Sequence, residues 1–435
     1  MSKTLAPSHG SAPPQAAGQF PDALMAEVRS RFHHVDHCPI TNRPRIFLES
    51  GGGSLKLRSA IERTAQIAAI PDQEGRDNDA SRHLTETIGA GRADLRLFFG
   101  CGDAGQVISG ETGTELLYRF VRTAALSAPP GPVISSNLEH PASFDAAKQW
   151  AKRTGRQWRE VEFDPIAATV RPEDYARAVT PDTQIATVIH TSQLTGFRVD
   201  LAGIVEAIRS TAPDCVIIVD GIQQAPHGHM DLSGVDVDGY VFSPYKAYSR
   251  LAVGFGWVSD RLSAMPHDHM LSKPEHLWEL GSRDPGIYAA QSAVTDYFAW
   301  LGTTHAGAND RADAVVAGTH AMVCQERGLI ELLLHGKPGV PGLFSIPGVA
   351  VIGPEALNER AGIVSFSLRG MPSPQLVRKL AERDIRVHAR IDDGYSGHIL
   401  AALDLKDCLR IALCHYNTVE EIETTLTAIA ELANA

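Results

Sequence analysis

Between about residue 55 and residue 303, short apolar runs rich in β-branched residues alternate with longer stretches of helical periodicity. The runs fall at residues 106–108, 132–135, 184–189, 216–219, 239–242 and 254–258, with helical patterns such as 143–154 and 202–210 between them. This alternation predicts an α/β domain on a mostly parallel sheet, because neighbouring parallel strands need a crossover to join them. Ligands of such sheets sit outside the carboxyl ends of the strands. Residues just after each run are therefore the candidates for chemistry.

The flanks read differently. Residues 23–31 have the spacing of a short amphipathic helix, and residues 45–48 that of a strand broken by Gly51, Gly52 and Gly53. Helical stretches at 288–301 and 311–327 lead out of the large domain. Strands at 349–352, 362–367 and 407–412, with helices at 373–383 and 419–432, suggest a smaller α+β domain. The expected division is a flexible leader over 1–22, a segment over 23–45 packing on the smaller domain, a large domain over 46–303 and a small one over 304–435. A chain of 435 residues is long enough for two domains, since single cores stop growing at roughly 250–300 residues.

Bulk composition excludes several classes. The formal net charge of −11, without any basic run, argues against a nucleic-acid partner. No stretch of about 18 apolar residues is present, so no membrane span is expected. The first twenty residues lack the apolar core of a signal peptide. Six scattered cysteines without a C-x-x-C pair fit reduced thiols in a cytoplasm.

Two candidates stand at the ends of neighbouring runs. Asp220 closes Val216-Ile217-Ile218-Val219, and Lys246 follows Phe242-Ser243-Pro244-Tyr245. Read alone, Asp220 is a turn-capping acid and Lys246 a solvated charge. Read together, they could hold the two ends of one flat, charged cofactor. Pyridoxal phosphate (PLP) needs an amine for its Schiff base and a carboxylate for its ring nitrogen. A lysine after an apolar strand is partly desolvated, which lowers its pKa and favours imine chemistry. Gln223, three residues past Asp220, could reach the phenolic oxygen of the ring.

Ser109-Gly110-Glu111-Thr112-Gly113-Thr114 follows one run and opens a helix over 115–122. Small residues there leave N–H groups free for a phosphate, although an ordinary Ser/Thr cap reads the same way. His140 follows another run and is either a stacking ring or a hydrogen-bonded loop residue. Arg410, inside Cys408-Leu409-Arg410-Ile411-Ala412, needs an anion, either a substrate carboxylate or a structural acid. His33, His34 and His37, His227 with His229, and His267 with His269 are histidine groupings without a spacing diagnostic of a metal site, so no metal is expected.

Taken in order, these pieces resemble the class V aminotransferase, or cysteine-desulfurase-like, family of fold-type I PLP enzymes. The segments that carry the resemblance are Val219-Asp220-Gly221-Ile222-Gln223, Asp238 through Lys246, Leu138-Glu139-His140-Pro141, His190-Thr191-Ser192-Gln193-Leu194-Thr195-Gly196, Glu279-Leu280-Gly281-Ser282 and Leu409-Arg410-Ile411-Ala412. The resemblance implies a large domain on a mostly parallel seven-stranded sheet. It implies that Lys246 forms the Schiff base and moves protons at the substrate Cα. Asp220 would bind the ring nitrogen, and His140 would stack on the ring. Thr112 and Gly113, with Gly110 and Ser243, would hold the phosphate. Gln193 replaces an asparagine, and Tyr245 stands where many members carry histidine. Ser282 would reach the phosphate of a partner subunit, which implies a homodimer with shared active sites. Arg410 would bind the substrate α-carboxylate. The stretch from Val387 to His398 holds no cysteine where desulfurases place their nucleophile. That loop's Arg390 and His388, with Arg250 and Arg283, would set substrate choice.

The leading expectation is a PLP enzyme acting on an amino acid as its small-molecule substrate, an aminotransferase first. A PLP-dependent lyase (β-elimination or C–S cleavage) or an epimerase of the same family is the alternative. A PLP-binding protein without catalysis, and a metal-dependent hydrolase built on the histidine pairs, are the readings from other classes.

Overall fold

The computed structural model describes residues 19–434. Most of the expected leader lies outside them. At its end Phe20 is buried, and its N–H donates to Gln325 Oε1 at 2.8 Å.

The expected sheet has seven strands, in the spatial order Gln106–Gly110, Gly254–Val258, Gly239–Phe242, Val216–Asp220, Ile185–Ile189, Val133–Ser136 and Trp158–Val161. All pairings are parallel except those of Gly254–Val258, which runs antiparallel to both neighbours. The central strands are buried on both faces, as a sheet covered by helices on each side requires. The Trp158–Val161 edge strand was not anticipated, because its residues alternate aromatic, basic and acidic instead of forming an apolar run.

Asp220 and Val241 are direct partners in the ladder. The strand that ends in the acid and the strand that leads to Lys246 are therefore neighbours, with their carboxyl ends on the same edge. The helices Gly113–Ser127 and Pro141–Arg153 start from that edge as well, after the strands Gln106–Gly110 and Val133–Ser136.

A four-stranded antiparallel sheet makes the smaller unit, in the order Val349–Ile352, Ile363–Leu368, Asp407–Ala412 and His388–Ile391. The stretch expected as a loop over 387–398 is thus partly strand, followed by the short helix Gly397–Ala402. Its mixed basic and apolar residues hid the pairing with Asp407–Ala412. The strand Ile46–Phe47, placed with the large domain on sequence, pairs in parallel with Ile385–Arg386, and Leu48 is buried in the small core.

The expected division at residue 304 falls within the helix Gly286–Ala306. The helix Arg311–His335 puts Val315, Ala321 and Met322 into the large core and Leu329, Ile330 and Leu333 into the small one. One continuous helix carries the chain across. Arg360 joins the units a second time. It is buried and donates to the carbonyls of Thr195, Ile363 and Ile352, each at 3.1 Å, and to that of Pro354.

Candidate active site

Where these strands end there is a cavity of about 230 Å³. Thr112, His140, Gln193, Asp220, Gln223, Ser243, Tyr245 and Lys246, all expected from sequence, line it. Thr114, Ile189, Thr191, Ile222 and Tyr395 line it too and were not singled out. A larger, open groove of about 770 Å³ runs along the helix Asp22–Ser30 and holds none of the expected site residues.

Asp220 is almost wholly buried, and its Oδ1 accepts the N–H of Ile222 at 3.0 Å. Burial pushes its carboxyl above the usual range, against the pull of that N–H and of the Lys246 cation. Lys246 is buried as well. Burial and then the nearby Arg410 cation disfavour its ammonium, and Asp220 offsets this only in part. Its amine therefore sheds a proton more readily than an ordinary lysine, which is the state a carbonyl-attacking amine needs.

His140 caps the helix Pro141–Arg153 by accepting the N–H of Ala142 on Nδ1 at 3.0 Å. Nδ1 is thereby the acceptor, and the proton of the neutral ring sits on Nε2. Burial first, then Lys246, push its pKa down to about 3. At neutral pH the ring is an uncharged surface facing the cavity and no acid. Beneath it Glu139 is fully buried, with its carboxyl pushed up to about 8 by burial.

Thr112 caps the helix Gly113–Ser127 through its Oγ1, which accepts the N–H of Glu115 at 3.0 Å. At Gly113 an added Cβ would meet Ser243 Oγ at 2.5 Å and Ile222 Cδ1 at 2.8 Å. The glycine thus brings bare backbone against Ser243 at a helix start, as an anion cradle requires. Gly110, which ends the preceding strand, packs where a Cβ would meet Glu115 Oε2 at 2.4 Å.

The side chains of Gln193 and Gln223 supply the test of fit for PLP. Both Oε1 and Nε2 of Gln193, and Oε1 of Gln223, are buried without a hydrogen-bond partner. Such atoms cost free energy unless a bound group satisfies them. An acid, an amine, an anion cradle and unsatisfied amides around one small cavity fit a flat pyridine with a phosphate arm.

Arg410 is fully buried. Its Nη1 donates to the carbonyl of Gln193 at 2.9 Å, and its Nε has no partner. No carboxylate of the described residues forms an ion pair with it. A buried guanidinium without an acidic partner is one that an anion would satisfy.

Three other expected substrate residues, Arg250, Arg283 and His388, are engaged in ion pairs. Arg250 pairs with Asp284 at 2.6 Å, Arg283 with Glu111, and His388 with Glu49 at 3.1 Å. Arg390 donates through Nη2 to the carbonyl of Tyr395 at 3.3 Å, its buried Nε has no partner among the described residues, and its charge acts on Lys246 and His140. Ser282 is exposed and away from the cavity lining.

The histidine groupings do not converge. His229 contacts the carbonyl of Leu97, and His267 stacks on Trp278. His227 pairs with Glu326 at 2.9 Å beside Cys414, a buried trio between the two cores.

Several missed residues shape the site from behind. Lys56, half-buried, donates to the carbonyl of Tyr245 at 2.6 Å. Gly51 accepts from Gln223 Nε2 at 3.3 Å and lies against Arg410, while the ring of Tyr245 packs at Gly53. The one signal for them was the triple glycine, which reads equally well as a strand breaker.

Comparison with known proteins agrees with this geometry. A family model described as aminotransferase class V matches residues 46–275 and 320–425. A cysteine desulfurase of Synechococcus elongatus is 24% identical over 408 residues, which are 90% of this chain and 61% of that protein. The aminotransferase-like protein FGM3 of Gibberella zeae is 24% identical over 422 residues, 92% of this chain and 96% of that protein. Among solved structures, the apo cysteine desulfurase of Thermococcus onnurineus NA1 superposes with a TM-score of 0.78 at 17% identity, over 94% of this chain and 98% of that one. The cysteine desulfurase CsdA of Escherichia coli superposes with a TM-score of 0.75 at 21% identity, over 94% and 98%. At these identities the structures establish the fold, fold-type I.

Proposed function

Because this chain belongs to the aminotransferase class V family, and is thus a PLP-dependent transferase or lyase acting on a small molecule, we propose that it is an aminotransferase of an α-amino acid with Lys246 at its centre. The observation that supports this most directly is the burial of Lys246 beside Asp220 at the ends of two paired strands.

Bound PLP supplies a carbonyl carbon for an amine and an electron-withdrawing ring that stabilises a carbanion at Cα. The chain's residues do the rest. Lys246 offers a readily deprotonated amine, then removes and returns the proton at Cα. Asp220 stands as the carboxylate for the ring nitrogen, and Gln223 offers its side-chain amide to the phenolic oxygen. His140 presents an uncharged face to the ring. Thr112, Gly113 and Ser243 hold the phosphate, and Arg410 takes the α-carboxylate.

Elimination is the second reading, favoured by the relatives named cysteine desulfurase. A route through a protein persulfide is not housed here. None of the six cysteines lines the cavity, and burial pushes the thiol of Cys408 up to about 11. A homodimer that shares its sites through Ser282 belongs to the same reading. Among the described residues no helix is long and apolar enough to cross a membrane. A cytoplasmic location belongs to the proposal too.

The test begins with the visible absorbance of the purified protein. A cofactor band that vanishes in Lys246→Ala is expected, and a colourless protein after added PLP would sink the reading. Keto-acid formation that requires a second keto acid supports transamination. Ammonia released from one amino acid without an acceptor supports elimination instead.

A further inference from the structure

Tyr395 is the exposed aromatic residue among those lining the cavity, at 62%. Its ring centroid lies 6.1 Å from that of His140, at an interplanar angle of 37°. The phenol makes no hydrogen bond among the described residues, yet the backbone around it is fixed. Asp393 Oδ1 accepts the N–H of Tyr395 at 2.8 Å and that of Ser396 at 2.9 Å. Arg390 donates to the carbonyl of Tyr395. The loop tip is tied down while its aromatic side chain is left free at the mouth.

The volume of the cavity gives this position a role. Pockets that enclose a ligand of drug size run to about 300–1,000 Å³. A space of about 230 Å³ takes a pyridine ring with its phosphate arm and little more. On the proposed reading the substrate's α-carboxylate goes to Arg410, which is buried on the small sheet behind the residues that line the cavity. Its side chain then extends toward the mouth, where Tyr395 stands.

We propose that Tyr395 selects the substrate by its side chain: the aromatic ring narrows the mouth and favours α-amino acids with small side chains. The ring does this by bulk, and the hydroxyl is not needed. Arg390 and Asp393 are positioning residues that hold the tyrosine in place. The inference rests on the proposed reading of the cavity as a PLP and amino-acid site.

Wild type, Tyr395→Phe and Tyr395→Ala are compared as holoenzymes. Binding is read from the change in cofactor absorbance with α-methylalanine and α-methylleucine, and kcat/KM is read with alanine and leucine. Tyr395→Ala is expected to shift the leucine-to-alanine preference toward leucine by on the order of tenfold or more, in both readouts. Tyr395→Phe is expected to keep the wild-type ratio. Because the side chain is exposed, the cofactor band and thermal midpoint of both variants should match wild type. A ratio that moves by less than about twofold in Tyr395→Ala, with a normal cofactor band, overturns the role of Tyr395 alone. An equal shift in Tyr395→Phe overturns selection by bulk. Absence of any cofactor band in the wild type overturns the underlying reading of the cavity, and this proposal with it.

Discussion

The guanidinium of Arg410 lies directly against the backbone of Gly51. A Cβ at Gly51 would meet Arg410 Cζ at 3.0 Å, Ala412 Cβ at 3.1 Å and Arg410 Nη1 at 3.2 Å. The glycine loop is therefore the wall against which Arg410, the proposed anion receptor, is held. Gly51→Ala asks Arg410 to give by a few tenths of an ångström. Gly51→Val asks for more than the buried side chain can yield. We expect Gly51→Val to raise KM for the amino acid on the order of thirtyfold, about 2 kcal/mol of lost charge-assisted hydrogen bonding. Gly51→Ala should fall between it and wild type. Steady-state kinetics with the cofactor band as a loading control check this. A KM unchanged in Gly51→Val would mean that the carboxylate sits elsewhere.

Much of this arrangement is visible in the sequence because parallel strands buried on both faces are nearly all apolar. Residues 216–219 and 239–242 announce themselves that way, and Asp220 and Lys246 follow from them by position. Trp158–Val161 and His388–Ile391 are edge strands with polar faces, and no apolar run marks them. The pairing of the other expected substrate arginines was hidden for another reason. Whether Arg250 or Arg390 is free depends on a partner distant in sequence or on loop geometry, and composition carries neither. Tyr395 and Gly51 matter through what they face, which only the fold decides.

Gly113 is a second place where a single methyl group tests the site. Its Cβ would fall 2.5 Å from Ser243 Oγ and 2.8 Å from Ile222 Cδ1. Gly113→Ala would push the Ser243 hydroxyl and the Ile222 side chain from their places at the helix start. We expect the dissociation constant for PLP to rise on the order of tenfold, about 1.4 kcal/mol. Absorbance titration of the apoprotein measures it. An unchanged constant would place the phosphate away from this helix.

Glu139 gives a pH dependence of known sign. Its Oε1 accepts the N–H of Ile189 at 2.7 Å, and Oε2 meets the hydroxyl of Ser143. In the folded chain it keeps its proton up to about pH 8, against an ordinary value of 4.5. Between these values the folded state holds a proton that the unfolded state has lost. The stabilisation is complete below about pH 4.5, declines as pH rises and is gone above about pH 8. The slope from this group is at most ~1.4 kcal/mol per pH unit. Glutamine reproduces the protonated acid, with Oε1 accepting from Ile189 and Nε2 donating to Ser143. Glu139→Gln should therefore flatten the stability profile over this window. Urea unfolding at several pH values decides. A profile as steep as wild type would show that Glu139 is ionised in the folded chain.

Arg360 sets the strength of the joint between the two units. Burial pushes its pKa down to about 10, which leaves it charged at neutral pH. Carbonyl oxygens of Thr195, Ile352, Pro354 and Ile363 surround that charge. Arg360→Met removes the cation and leaves those oxygens buried without donors. We expect a loss of about 3–5 kcal/mol of stability, read as a lower urea midpoint. Arg360→Lys should recover less than half, because one ammonium cannot replace a planar fork that reaches several carbonyls at once. The damage should reach the site as well. Thr195 lies two residues after Gln193, whose carbonyl receives Arg410. With Arg410 as the proposed carboxylate receptor, a loosened joint weakens it, and KM should rise in Arg360→Lys while the cofactor band stays. A band lost together with stability would mean instead that the joint supports the whole large-domain edge.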